Sequence, residues 1–126
     1  MKTSELTGAA LDWAVAKAEG KTPKINCTSF QDAFIYRVYL GWSYEHSSNG
    51  SIVEHKPSTD WDEGGPIIER EKIRLDTTWN QEDNNWSARM DTVGGWWPGD
   101  TPLIAAMRCY VASKLGDEIE IPKELT

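Results

Sequence analysis

The sequence predicts an α+β fold, a single-domain α/β sandwich whose helices pack on a small antiparallel sheet. Two helices with start and stop signals stand near the two ends of the chain. A third amphipathic segment lies between them, and two short aromatic segments flank a polar turn. With 126 residues, the chain is expected to form one domain, 1–126, with one core of ordinary size.

The first helix is predicted at about 7–19. Thr7 stands at the N-cap, Leu6 is placed to staple against Leu11, and Gly20 supplies a left-handed stop. Leu11, Ala14, Val15 and Ala18 make a narrow apolar stripe suited to close packing. The stretch 29–44 supports two readings. Phe34, Ile35, Tyr36, Val38, Tyr39 and Trp42 have strand character, yet Phe30, Phe34, Val38 and Trp42 recur at helical spacing. The strand is preferred, with a polar turn over 47–51 and a return over 52–55.

A second helix is predicted at about 62–72, after N-cap candidates in Ser58-Thr59-Asp60. Pro66 is then expected in its first turn, where a missing N–H costs nothing. Segments 73–80 and 86–91, with Trp79 and Trp86 beside the turn 81–85, read as an antiparallel hairpin. The segment Val93-Gly94-Gly95-Trp96-Trp97-Pro98-Gly99-Asp100 is too rich in glycine to read as regular structure. It reads as a loop presenting two indoles, either a lid on the core or a stacking platform. The last helix, 101–115, has Thr101 as cap, Pro102 in the first position and Gly116 as stop. Ile104, Met107, Val111 and Leu115, widened by Leu103 and Tyr110, form its core stripe. Glu118 to Pro122 alternates like a short edge strand.

Seven tryptophans are more rigid aromatic surface than so small a core easily absorbs, so some rings are expected at a cleft or interface. A net charge of −7 argues against direct nucleic-acid binding, which needs a basic face. No apolar run is long enough to span a bilayer. Cys27 and Cys109 lack metal-ligand spacing and read as reduced thiols, Cys109 buried on a helix. No metal or cofactor is expected.

No catalytic set is legible. His46 and His55 lie in the most polar stretch and read as solvated loop residues, and no serine sits on a nucleophile elbow. An enzyme is therefore the weaker expectation. A binding site is the stronger one, in a cleft between the Trp61-to-Arg70 segment and the 94–97 loop. Gly64 and Gly65 would let backbone approach a ligand, Arg70 and Arg89 would hold its anionic groups, and Trp61, Trp96 or Trp97 would stack on its base.

Three blocks of sequence belong together. Ser4-Glu5-Leu6-Thr7-Gly8-Ala9-Ala10-Leu11-Asp12-Trp13 runs on to Gly20. Ser58-Thr59-Asp60-Trp61 precedes Gly64-Gly65-Pro66-Ile67-Ile68-Glu69-Arg70-Glu71. Thr101-Pro102-Leu103-Ile104-Ala105-Ala106-Met107-Arg108-Cys109-Tyr110 runs on to Glu118. Together they resemble the NinX-like family of short accessory proteins of lambdoid temperate phages. The residues at about 21–57 fall outside the resemblance and read as a variable insertion.

The resemblance implies a phage accessory protein with an α/β sandwich and transfers no catalytic residue. By analogy of size and setting, it points to an anti-defence sponge in the host cytoplasm that sequesters a nucleotide-derived small-molecule signal. The alternatives are an enzyme that degrades such a signal and an inhibitor that binds a host defence protein through an exposed Trp patch. A homodimer is expected, because a small domain with surplus aromatics gains by sharing a face.

Overall fold

The computed structural model describes residues 1–31, 33–40, 53–77 and 86–126. They contain α1 (Gly8–Ala18), β1 (Pro23–Phe30), β2 (Ala33–Leu40), β3 (Val53–Glu54), α2 (Trp61–Glu71), β4 (Arg74–Thr77), β5 (Trp86–Met90), β6 (Val93–Gly99) and α3 (Pro102–Leu115). The strands form two antiparallel three-stranded sheets, β1-β2-β3 and β4-β5-β6, and the molecule is an α+β single domain. Trp42, Trp79, His46 and the turns expected at 47–51 and 81–85 lie outside the described residues.

α1 follows the sequence closely. Leu6 and Leu11 are both fully buried, as the staple requires. The Thr7 hydroxyl makes no cap, although Thr7 holds the extended N-cap conformation. At the other end Gly20 has φ +76°, Gly20 N–H donates to Lys17 and Lys21 N–H to Ala16, the Schellman pattern that satisfies the last carbonyls.

α2 begins one residue earlier than expected, with Asp60 as N-cap accepting the Asp62 N–H at 2.9 Å. Pro66 consequently lies inside the helix rather than in its first turn. It is exposed, so its ring meets no packed neighbour on that side. The helix stops at Lys72, a non-glycine residue in the left-handed region (φ 54°, ψ 49°). The close of the helix again pairs Lys72 N–H with Glu69 and Ile73 N–H with Ile68.

α3 is buried nearly all round and forms the centre of the molecule, against β4-β5-β6 on one side and α1 and α2 on the others. Thr101 caps it by accepting the Ile104 N–H, as the sequence predicts, while Leu115 at its end is exposed rather than core. Buried Arg108 donates to Leu6 O at 2.7 Å and Pro98 O at 2.9 Å, tying the N-terminal segment and β6 to this helix.

The glycine-rich segment 93–99 is strand β6, not a loop. Its glycines are permitted by what surrounds them. Gly94 and Gly95 are exposed, and Gly99 is where β6 presses on α3, so that a Cβ there would fall onto the Ala105 backbone. Of the stretch 29–44, residues 29–30 close β1, Gln31 lies in a turn and 33–40 form β2; β1, which the sequence does not announce, pairs with β2 along its whole length. The tail does not extend a sheet. Ile119 exchanges two 3.0 Å hydrogen bonds with Met1, and Thr3 N–H donates to Asp117 O, closing the two ends on each other.

Candidate functional site

Alternation along β6 separates the two adjacent indoles. Trp97 pairs with Ala88 and packs on the core, while Trp96 points outward and is 48% exposed. On the same outer face of the sheet, the Arg89 guanidinium lies 6.0 Å from the Trp96 ring centroid. Arg89 is directly opposite Arg74 across the β4–β5 ladder. Like charges placed so are destabilising, and Asp91 offsets one of them through a 3.2 Å ion pair with Arg74. An exposed indole thus stands beside two cross-strand arginines on an open sheet face.

Asp91 links this face to a hollow. A cavity of about 460 Å³ opens at the end of the layer between helices and sheet, lined by Arg70, Glu71, Lys72, Met90, Asp91, Thr92, Ser113 and Lys114. Three cationic side chains and two carboxylates line it, a locally positive balance on a chain of net charge −7. Its size lies in the range of small-molecule sites. Lys72 enters no ion pair among the described residues, and Lys114 reaches Glu71 only at 4.0 Å.

The sequence-predicted site residues divide between places. Arg70 is on the cavity wall, but its donors are engaged: Glu71 at 2.9 Å, Glu19 at 3.1 and 3.3 Å, and Tyr110 at 3.2 Å. Those contacts, Glu71 first, raise its pKa further. The Tyr110 hydroxyl, which donates to Glu19, is pushed up to about 12, chiefly by burial. Arg89 and Trp96 share the open sheet face. Trp61 starts α2 beside a smaller hollow of about 190 Å³ with Ser58, Thr59, Thr101, Leu103 and Ile104. Gly64 and Gly65 are inside α2. The Gly64 N–H is spent on Asp60 O at 2.9 Å, and a Cβ at Gly64 would come 2.6 Å from the Leu103 side chain. Gly64 therefore serves close packing of α2 on α3. Neither hollow is lined by residues 94–97.

A polar cluster escaped the sequence reasoning. His55 is buried, 5% exposed, rather than solvated. Asp12 on α1 accepts the Ser58 backbone N–H at 2.9 Å, pinning the segment before α2. Burial raises the Asp12 carboxyl from 3.8 to about 6, against the Ser58 hydrogen bonding that lowers it. Burial, then Lys21, lowers His55 from 6.5 to about 4, and its Nδ1 stands 3.7 Å from Glu63. His55 Nε2 is buried without a hydrogen-bond partner among the described residues. The available signal was positional: Asp12 and Ser58 lie in the first two of the three sequence blocks.

Among the described residues, no helix is long and apolar enough to cross a membrane. Fold and site together describe a small α+β domain with an arginine–tryptophan sheet face. The family model described as Bacteriophage P22, NinX matches residues 2–114, and the chain belongs to this phage protein family. Among curated proteins, none matches it.

Proposed function

We propose that the protein is a non-catalytic binder that sequesters a nucleotide-derived signal of host defence, acting in the host cytoplasm as a homodimer. The observation that carries this reading is the outer face of β4-β5-β6. Trp96 is half exposed and offers indole surface for a base, Arg89 lies over its ring, and Arg74 stands across the ladder from Arg89. A bound phosphate would relieve the repulsion of the two arginines and receive a bidentate hydrogen-bonding partner. Lys72 and Lys114 at the adjoining cavity extend the cationic track past the Asp91–Arg74 pair. The family's phage setting supports a role against the host.

The test is incubation with a panel of linear and cyclic di- and trinucleotides, followed by native mass spectrometry and release by denaturation. A binder holds ligand stoichiometrically and returns it intact. Product accumulating in excess substrate would instead make the protein an enzyme, and a nucleotide-free protein that retains a host protein would make it an inhibitor.

A further inference from the structure

The cavity at the end of the helix–sheet layer holds more positive charge than its own ion pairs use. Each carboxylate on its wall already has an arginine: Glu71 accepts from Arg70 at 2.9 Å, and Asp91 pairs with Arg74 at 3.2 Å. Two ammonium groups are left over. Lys72 enters no ion pair among the described residues, and Lys114 comes only within 4.0 Å of Glu71. Nor are these lysines needed to close the helix ends, where cationic side chains often serve. The N–H groups of Lys72 and Ile73 close α2, and that of Gly116 bonds to Ala112 O in α3. Thr92 adds a hydroxyl from the turn between β5 and β6. Two lysines and a hydroxyl around a hollow of about 460 Å³ suit a phosphoryl group, which accepts hydrogen bonds on several oxygens.

The place of this hollow relative to the Trp96 face selects a ligand. Asp91, on the cavity wall, follows β5 directly and lies two residues beyond Arg89. A strand advances about 3.4 Å per residue, so the wall begins roughly 7 Å from Arg89 along the chain. A pyrophosphate bridge is too short to set one phosphoryl group between Arg89 and Arg74 and the next beyond Asp91. Two phosphates separated by a sugar span that distance. We propose that the Lys72–Lys114 cavity is a second phosphoryl subsite adjoining the Trp96 face, so that the ligand is a phosphodiester-linked nucleotide of two or more units. The inference rests on the nucleotide reading above and adds the class of ligand to it.

The test is a series of nitrogen–proton correlation spectra of the parent and of the double variant Lys72→Gly, Lys114→Gln. Both are titrated with inorganic phosphate, nucleoside monophosphates, nucleoside diphosphates and 5′-phosphorylated dinucleotides. The double variant should fold, because Lys72→Gly relieves a φ of 54° and the Lys114 side chain is 48% exposed. In the parent, inorganic phosphate should move the Thr92 and Lys114 amides and leave the Trp96 indole N–H in place. A dinucleotide should move all three and bind roughly tenfold or more tightly than a monophosphate, the usual worth of a charged hydrogen bond. The double variant should bind dinucleotide and monophosphate alike. Amides at Thr92 and Lys114 that ignore inorganic phosphate overturn the proposal. So does a dinucleotide preference that survives in the double variant, or a diphosphate that binds as tightly as a dinucleotide. In each of these cases a monophosphate that moves the Trp96 indole keeps the sheet-face reading standing. Phosphate felt at Thr92 and Lys114 with no nucleotide felt at Trp96 would sink the sheet-face reading, and the two-site ligand with it.

Discussion

The outer face of the β4-β5-β6 sheet and the buried cluster at Asp12, His55 and Ser58 gather polar side chains in opposite surroundings. On the sheet, Arg74, Arg89 and Trp96 are exposed, and the Arg74–Asp91 ion pair and the Arg89–Trp96 contact are screened by water. Inside, Asp12 and His55 have lost most of their water, and burial drives both toward their neutral forms. The shifts at Asp12 and His55 therefore record burial within the fold. Perturbed titration here marks a place where α1 grips the chain ahead of α2, by way of the Asp12–Ser58 hydrogen bond.

The largest expected effect comes from breaking the dry side. Asp12→Ala would leave the Ser58 N–H buried without its acceptor, and should cost about 2–4 kcal/mol in chemical denaturation. A loss below about 0.5 kcal/mol would show that the grip is not structural.

The pH dependence sharpens the same contrast. Asp12 holds its proton more tightly in the folded state, so its contribution is full below 3.8 and is lost as pH rises through about 6. His55 holds its proton less tightly when folded, so its contribution is full above 6.5 and is lost as pH falls through about 4. The slopes oppose each other between about 4 and 6, and the parent should be nearly flat there. Asp12→Asn, which can still accept the Ser58 N–H, should expose a rise in stability with pH, and His55→Gln a fall. Each change would be on the order of 3 kcal/mol across the window. Identical profiles for the three proteins would contradict the opposed shifts.

The neighbouring indoles of β6 give a paired test. Trp97→Ala should destabilise by about 3 kcal/mol, because its ring packs on the core. Trp96→Ala should change stability by under about 0.5 kcal/mol. It should nonetheless weaken nucleotide binding roughly tenfold or more, given the usual worth of base stacking. Equal melting losses for the two would deny the division of faces. A modest gain is also expected: Lys72→Gly should stabilise by about 1 kcal/mol by relieving the left-handed backbone. An unchanged or lowered melting temperature would count against strain there.

Helices α1 and α3 were legible because their signals are local: Gly20 and Gly116 as stops, Thr101 and Pro102 as a start, and an apolar surface between them. Pro66 misled because its usual place is a first turn, whereas here the Asp60 cap sets the helix start and carries the proline inward. β6 was hidden because glycine suggests irregular backbone, and the contact that requires Gly99 is with Ala105, which no local pattern reveals. Of the candidate site, Arg89 and Trp96 were named together, but their meeting depends on the β5–β6 register. Gly64 packs α2 against Leu103 and Pro57, a close approach that a glycine in sequence does not distinguish from room for a ligand. Asp12 and His55 were missed because burial of a polar residue is a tertiary property.

Native mass spectrometry of the parent and Trp96→Ala, each incubated with the nucleotide panel, tests most directly whether the open sheet face is the binding site. The expected result is one nucleotide ligand per chain on the parent, released intact on denaturation. Trp96→Ala, folded as before, should retain little or none. A variant that holds the ligand as tightly as the parent, or a parent that holds no nucleotide at all, would contradict it.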